Sequence, residues 1–128
     1  MGFDSSTTKP EIDFPGDAAP TDLVIEDLEH GDGVVAKVGD TISAHYVGVA
    51  HSTGEEFDSS WDRGAPLDFR LGVGQVIKGW DDGIVGMKVG GRRKLTIPAD
   101  LAYGDRGAGG AIKPGEALIF VVDLVDAN

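Results

Sequence analysis

The chain has 128 residues, enough for one domain around one core. It contains no Cys, which excludes disulfides, a thiol nucleophile and Cys-based zinc sites and is compatible with a reducing compartment. With 11 basic against 22 acidic residues the formal net charge is −11, and such a field repels nucleic acid and anionic membranes.

Residues 1–20 read as an extended N-terminal arm. They hold Pro10, Pro15 and Pro20, half of the six prolines, and no hydrophobic period survives among them. The start, Met1-Gly2-Phe3-Asp4-Ser5-Ser6, matches a loose N-myristoylation pattern. The acidic flank and the lack of a polybasic second anchor set that match aside. The basic, apolar, small-residue order of a secretory signal is missing. No apolar run approaches the roughly 20 residues that span a bilayer. The expected location is cytoplasmic. Phe3, Ile12 and Phe14 are the arm's strong apolar residues, and Ile12 and Phe14 suggest that part of it docks on the domain formed by residues 21–128.

From Asp22 onward strands dominate. Leu23–Glu29 alternates loosely, Gly31-Asp32-Gly33 is a turn, and Thr41–Ala50 reads as a long strand ending at the turn Ser52-Thr53-Gly54. Glu56–Ser59 returns, an irregular stretch runs through Gly64, and Leu67–Leu71 is another strand. Gly72 and Gly74 lead into the one convincing helix, about Ile77–Val85, with Gly86 as its C-terminal cap. Ile77, Trp80 and Ile84 share one face of that helix. Arg92–Ile97 alternates basic or polar residues with Leu95 and Ile97, and Pro98 ends it. Residues 104–115 form a Gly-rich loop. Leu118–Val125 closes the chain with Leu118, Phe120, Val122 and Leu124 on one face. One helix among several strands predicts an α+β fold, an antiparallel sheet wrapped over a single short helix.

Several chemistries find no residues here. There is no Gly-x-Ser-x-Gly elbow. The glycine loop lacks the Gly-Lys-Ser/Thr ending of a phosphate loop, and Gly72-Val73-Gly74 lacks a third glycine at dinucleotide spacing. His30, His45 and His51 have no HExxH spacing, so no metal site is expected. His45 reads most simply as a structural histidine beside Tyr46. Asp81 and Asp82 fall in the first helical turns, where acids suit the helix dipole. The cluster Arg92-Arg93-Lys94 reads as a solvated strand face. Asp58, near Arg63, is either half of a local ion pair or a polar group at the rim of an aromatic pocket. Trp80 is likewise either plain core or the floor of such a pocket.

A set of motifs in fixed order narrows this choice. His45-Tyr46-x-Gly48, Gly54-x-x-Phe57-Asp58-Ser59-Ser60 and Gly74-x-Val76-Ile77-x-Gly79-Trp80 are followed by Gly86-Met87-x-Val89-Gly90 and Leu95-x-Ile97-Pro98. Ala102-Tyr103-Gly104 and Leu118-x-Phe120-x-Val122-x-Leu124 complete the series, which covers about residues 22–126. Each motif alone is weak; together, the chain resembles the FKBP-type peptidyl-prolyl cis–trans isomerases, single-domain immunophilins that bind rapamycin-like macrolides. The resemblance implies a half-wrapped antiparallel β-sheet over one short α-helix. It places Trp80 under a prolyl ring, with Tyr46, Phe57, Val76, Ile77 and Phe120 as walls. Tyr103 would offer its hydroxyl, and Ile77 its backbone N–H, to a ligand carbonyl. Asp58 would sit at the rim near Tyr46 and Arg63, and Ile112 in a flap over the mouth. Leu67 stands where many members carry a pocket Phe, Ala108 where a flap His is common, and Gln75 where Glu often precedes Val76. Only 16 residues separate Tyr103 from Phe120, so an inserted chaperone domain is not expected there, nor is a TPR array expected after the domain.

The implied reaction suits these residue types. Rotation about Xaa-Pro meets a barrier of roughly 18–20 kcal/mol and breaks no bond. Water favours the planar, polar amide over the twisted one, so an apolar slot that strips water lowers the barrier. A gain of roughly four decades needs only about 5.5 kcal/mol. No cofactor, metal or nucleophile is called for. The expected partners are proline-containing polypeptides and macrolides such as rapamycin, bound by a monomer, without nucleic acid or membrane. A binding module with incidental turnover, and an inert structural domain, stay open as alternatives. Ile119 and Val121 point away from Phe120, and the apolar outer face they create is expected to be covered by Ile12 and Phe14.

Overall fold

A computed structural model describes residues 9–12 and 18–128. The chain forms strands β1 (Val24–Glu29), β2 (Thr41–Ala50) and β3 (Glu56–Ser59), the one-turn helix α1 (Ser60–Arg63), strand β4 (Leu67–Arg70) and helix α2 (Lys78–Gly83). Strand β5 (Arg92–Ile97), two short 3-10 turns (Ala99–Leu101 and Gly104–Arg106) and β6 (Leu118–Ala127) follow. All strand pairs are antiparallel, in the order β1-β5-β6-β2-β3, with β4 also on β2.

β2 carries two strands along one edge. Thr41–Ala44 pairs with β4, and Val47–Val49 pairs with β3. β3 and β4 therefore act as one strand interrupted by α1. The stretch expected to be irregular is this helix, capped by Ser59, whose Oγ accepts from the Asp62 N–H at 3.4 Å. Gly64, at φ +80°, stops it.

The period-2 pattern sorts β2 and β6 cleanly. Ile42, Ala44, Tyr46, Leu118, Phe120, Val122 and Leu124 enter the main core with Trp80, Ile84, Leu95 and Ile97. On the opposite face Val47, Val49 and Ile119 form a second cluster, joined by Ile12 and Trp61. Ile12 thus covers the outer face as expected; Phe14 lies outside the described residues. β1 is an exposed edge strand throughout, so the loose alternation there does not mark a buried face.

α2 is shorter than expected. It spans six residues; Ile77 is its N-cap and Ile84 its C-cap, so Gly86 lies beyond the end it was expected to cap. A helix this short depends on packing rather than propensity. Gly79 lets it approach β5, because a Cβ there would lie 2.6 Å from Ile97 Cγ2. Arg93 holds its other end, donating to the carbonyls of Gly83 (2.8 Å) and Val85 (3.3 Å). Arg93 also pairs with Asp27, and Arg92 with the fully buried Asp123 at 2.7 Å. Two of the three residues in the basic cluster are thus internal clamps rather than a solvated face. Among the described residues no helix is long and apolar enough to cross a membrane.

Candidate active site

Between α2 and the concave face of the sheet lies a pocket of about 160 Å3, lined by Tyr46, Phe57, Asp58, Leu67, Gln75, Val76, Ile77, Trp80, Tyr103 and Phe120. Ten of the twelve expected site residues meet here, drawn from β2, β3, β4, the loop into α2, α2 itself, the segment after β5, and β6. A larger cavity of about 240 Å3, lined in part by Asp27, His30 and Met87, contains none of them.

The floor is an aromatic cage. Trp80 is 3 % exposed, and its ring meets Tyr46 (5.0 Å, 80°) and Phe120 (5.2 Å, 85°) edge to face. Phe57 stands edge-on to Phe120 at 5.5 Å, and Phe69 supports Trp80 at 5.6 Å. Edge-to-face contacts at these separations favour fixed ring orientations. Gly48 makes room for the cage, since a Cβ there would fall 2.6 Å from Phe120 and 2.7 Å from Phe57.

The rim is polar and cross-linked. The Tyr46 hydroxyl donates to Asp58 Oδ2 at 2.5 Å and accepts from Arg63 Nη2 at 2.8 Å. Arg63 Nη1 and the Ser59 N–H donate to Asp58 Oδ1 at 2.6 and 2.9 Å. Arg63 is not itself a pocket wall; α1 holds it behind Asp58 and Tyr46. Asp58 is therefore both half of an ion pair and a group on the pocket wall. Burial, followed by the hydrogen bond to Asp58, raises the Tyr46 phenol above its usual pKa. Burial and the charge of Asp58 do the same to Tyr103, so its hydroxyl remains protonated at neutral pH. Tyr103 is 41 % exposed at the mouth. Neither its hydroxyl nor the Ile77 backbone N–H makes a hydrogen bond among the described residues.

The loop into α2 is tied from both sides. Asp81 accepts from the N–H groups of Gly72 (2.8 Å) and Gly74 (2.9 Å), and Gln75 Oε1 accepts from the Arg70 N–H at 2.8 Å. Asp81 thus does more than meet the helix dipole: it fixes the turn that delivers Val76 and Ile77. Ile112 lies elsewhere than expected. It is 6 % exposed, packs into the main core and bridges to Ala108 within the flap, and it does not line the pocket.

Sequence reasoning passed over Ser60, which is fully buried behind the site. Its Oγ accepts from the Tyr46 N–H at 2.6 Å and lies 2.9 Å from His45 Nδ1. His45 in turn stacks on Trp61 at 4.3 Å. Only the pairing of β2 with β3 and α1 brings these residues together, and no local spacing announces it.

Residues 33–125 match the model of the FKBP-type peptidyl-prolyl cis–trans isomerase family. The chain is 69 % identical over 121 residues to a Streptomyces anulatus FK506-binding protein, covering 94 % of this chain and 98 % of the relative. It is 54 % identical over 95 residues to the Saccharomyces cerevisiae peptidyl-prolyl cis-trans isomerase FPR2, covering 74 % of this chain and 70 % of that one. Among solved structures it resembles AtFKBP13, with a TM-score of 0.78 and 45 % identity over 86 % of this chain and 96 % of that one. FkpA from Escherichia coli matches with a TM-score of 0.76 and 43 % identity, over 83 % of this chain and 48 % of that one.

Proposed function

Since the chain belongs to the FKBP-type peptidyl-prolyl cis–trans isomerases and is an enzyme of that activity, we propose that the aromatic pocket takes the prolyl ring of an Xaa-Pro segment and stabilises the twisted amide. Trp80 is the platform under the ring. Tyr46, Phe57, Val76, Ile77 and Phe120 exclude water, which favours the less polar twisted state. The Tyr103 hydroxyl and the Ile77 N–H are the donors for ligand carbonyls. Asp58, held by Tyr46 and Arg63, presents its charge at the rim toward the rotating amide.

The observation that supports this reading is the convergence of ten of the residues that the resemblance implied on one pocket. The same pocket is proposed to bind rapamycin-like macrolides; the name FK506-binding protein borne by several similar proteins supports this. Leu67 and Gln75 line this pocket, so substitutions at either are expected to tune macrolide affinity.

A protease-free isomerisation assay on an Ala-Leu-Pro-type peptide tests the proposal. Acceleration that rapamycin abolishes is expected. Macrolide binding without acceleration would instead make the pocket a capture site.

A further inference from the structure

A proline in a polypeptide brings flanking chain with it, and the pocket of about 160 Å3 holds little beyond the ring. The neighbouring residues must lie on surface that adjoins its mouth. Phe57 has a second side: it also lines a groove of about 330 Å3 between the β2–β3 hairpin and the flap. On the hairpin wall stand Thr53, Glu55 and Glu56, and on the flap wall Gly110 and Lys113. Glu116 braces the two, accepting from Ser52 Oγ at 2.7 Å and from the Ser52 N–H at 3.0 Å.

We propose that this groove receives the substrate chain on one side of the proline and selects basic residues there. The inference rests on the isomerase reading of the adjoining pocket. Three carboxylates face one ammonium in the groove. Lys9 already neutralises Glu56, at 2.9 Å. Glu55 is exposed, and its carboxylate makes no ion pair or hydrogen bond among the described residues, so it is the group available to a Lys or Arg of the substrate. Gly110 keeps the flap wall low: a Cβ there would meet nothing within 4 Å, and its φ is one that other residues adopt.

The test uses the full chain at low ionic strength, a minimal Ala-Leu-Pro peptide, and longer peptides with a lysine or a glutamate run on either side of the proline. The wild type is expected to favour lysine over glutamate by about two- to fivefold in kcat/KM on one side only, the scale of one exposed charge pair. Glu55→Lys should abolish or invert that ratio, whereas Glu26→Lys, the same charge change on the far edge strand β1, should leave it standing. Gly110→Phe should lower turnover of the long peptides relative to the minimal one. A preference equal on both sides, or moved as much by Glu26→Lys as by Glu55→Lys, would reflect only the overall charge of the protein and would overturn the proposal. So would long-to-minimal ratios untouched by Gly110→Phe. No turnover of the minimal peptide by the wild type would instead count against the isomerase reading itself.

Discussion

Asp58 accepts three hydrogen bonds at the rim, from Tyr46, Arg63 and the Ser59 N–H, and this decides what its removal does. Asp58→Ala leaves Tyr46 and Arg63 still bonded to each other. We expect kcat/KM to fall about tenfold, in line with loss of one charge-assisted interaction, with Tm close to wild type. Tyr103→Phe should cost about three- to tenfold by the same measure, because the half-exposed ring stays in place. Peptide kinetics beside thermal melts check both. Trp80 differs because it is floor and core together: Trp80→Ala should remove about 3–5 kcal/mol of stability as well as activity, read by urea unfolding. At His45 the sign follows from burial, which lowers its folded pKa below the ordinary 6.5, against a weaker opposing pull from Asp123. The unfolded chain then binds the proton more readily, so stability is lost as pH falls below about 6.5 and stops falling beneath the folded pKa. Melting curves between pH 8 and about 5 should show a smaller decline for His45→Gln than for the wild type.

At the scale of elements, the segment β3–α1–β4 sets the site. It is one strand along β2 with a helical turn inserted, and the insertion aims Arg63 back at Asp58. Residues 9–12 lean on the outside of this corner: Lys9 bonds Glu56 at 2.9 Å and Asp62 at 3.0 Å, while Ile12 packs on the outer cluster. Exposed ion pairs contribute little, so the apolar contact carries most of the benefit. Deleting residues 1–20 is expected to lower Tm by several degrees; an unchanged Tm would mean that the arm adds nothing to the fold. α2 shows why its limits were misjudged from sequence. Periodicity marked Ile77–Val85 as one helix, yet two residues at the C-terminal end and one at the N-terminal end lie outside it. Its end is held by Arg93, ten residues beyond Gly83, which no local capping pattern reveals.

For the whole molecule, a formal charge of −11 makes self-repulsion a general penalty on the compact state. Raising ionic strength from about 0.01 to about 0.15 M shortens the Debye length from about 30 to about 8 Å, so Tm should rise with salt. A flat or falling Tm would show that paired charges such as Arg92–Asp123 and Arg93–Asp27 outweigh the repulsion. The strand pattern, the α+β class, the aromatic residues of the cage and the polar pair Asp58–Arg63 were legible in the chain, because alternation and residue chemistry are local properties. What only the tertiary structure decided is which face each shared residue serves and who its distant partner is. Ser60 became the clip behind Tyr46, Arg93 the cap of α2, and Asp81 the tie of the pocket loop, while Ile112 turned inward to the core. The Asp81 tie spans only seven to nine residues but needs the turn before α2 to fold back; the other three rest on hydrogen bonds or packing between different elements, and such contacts exist only after the sheet has closed over its helix.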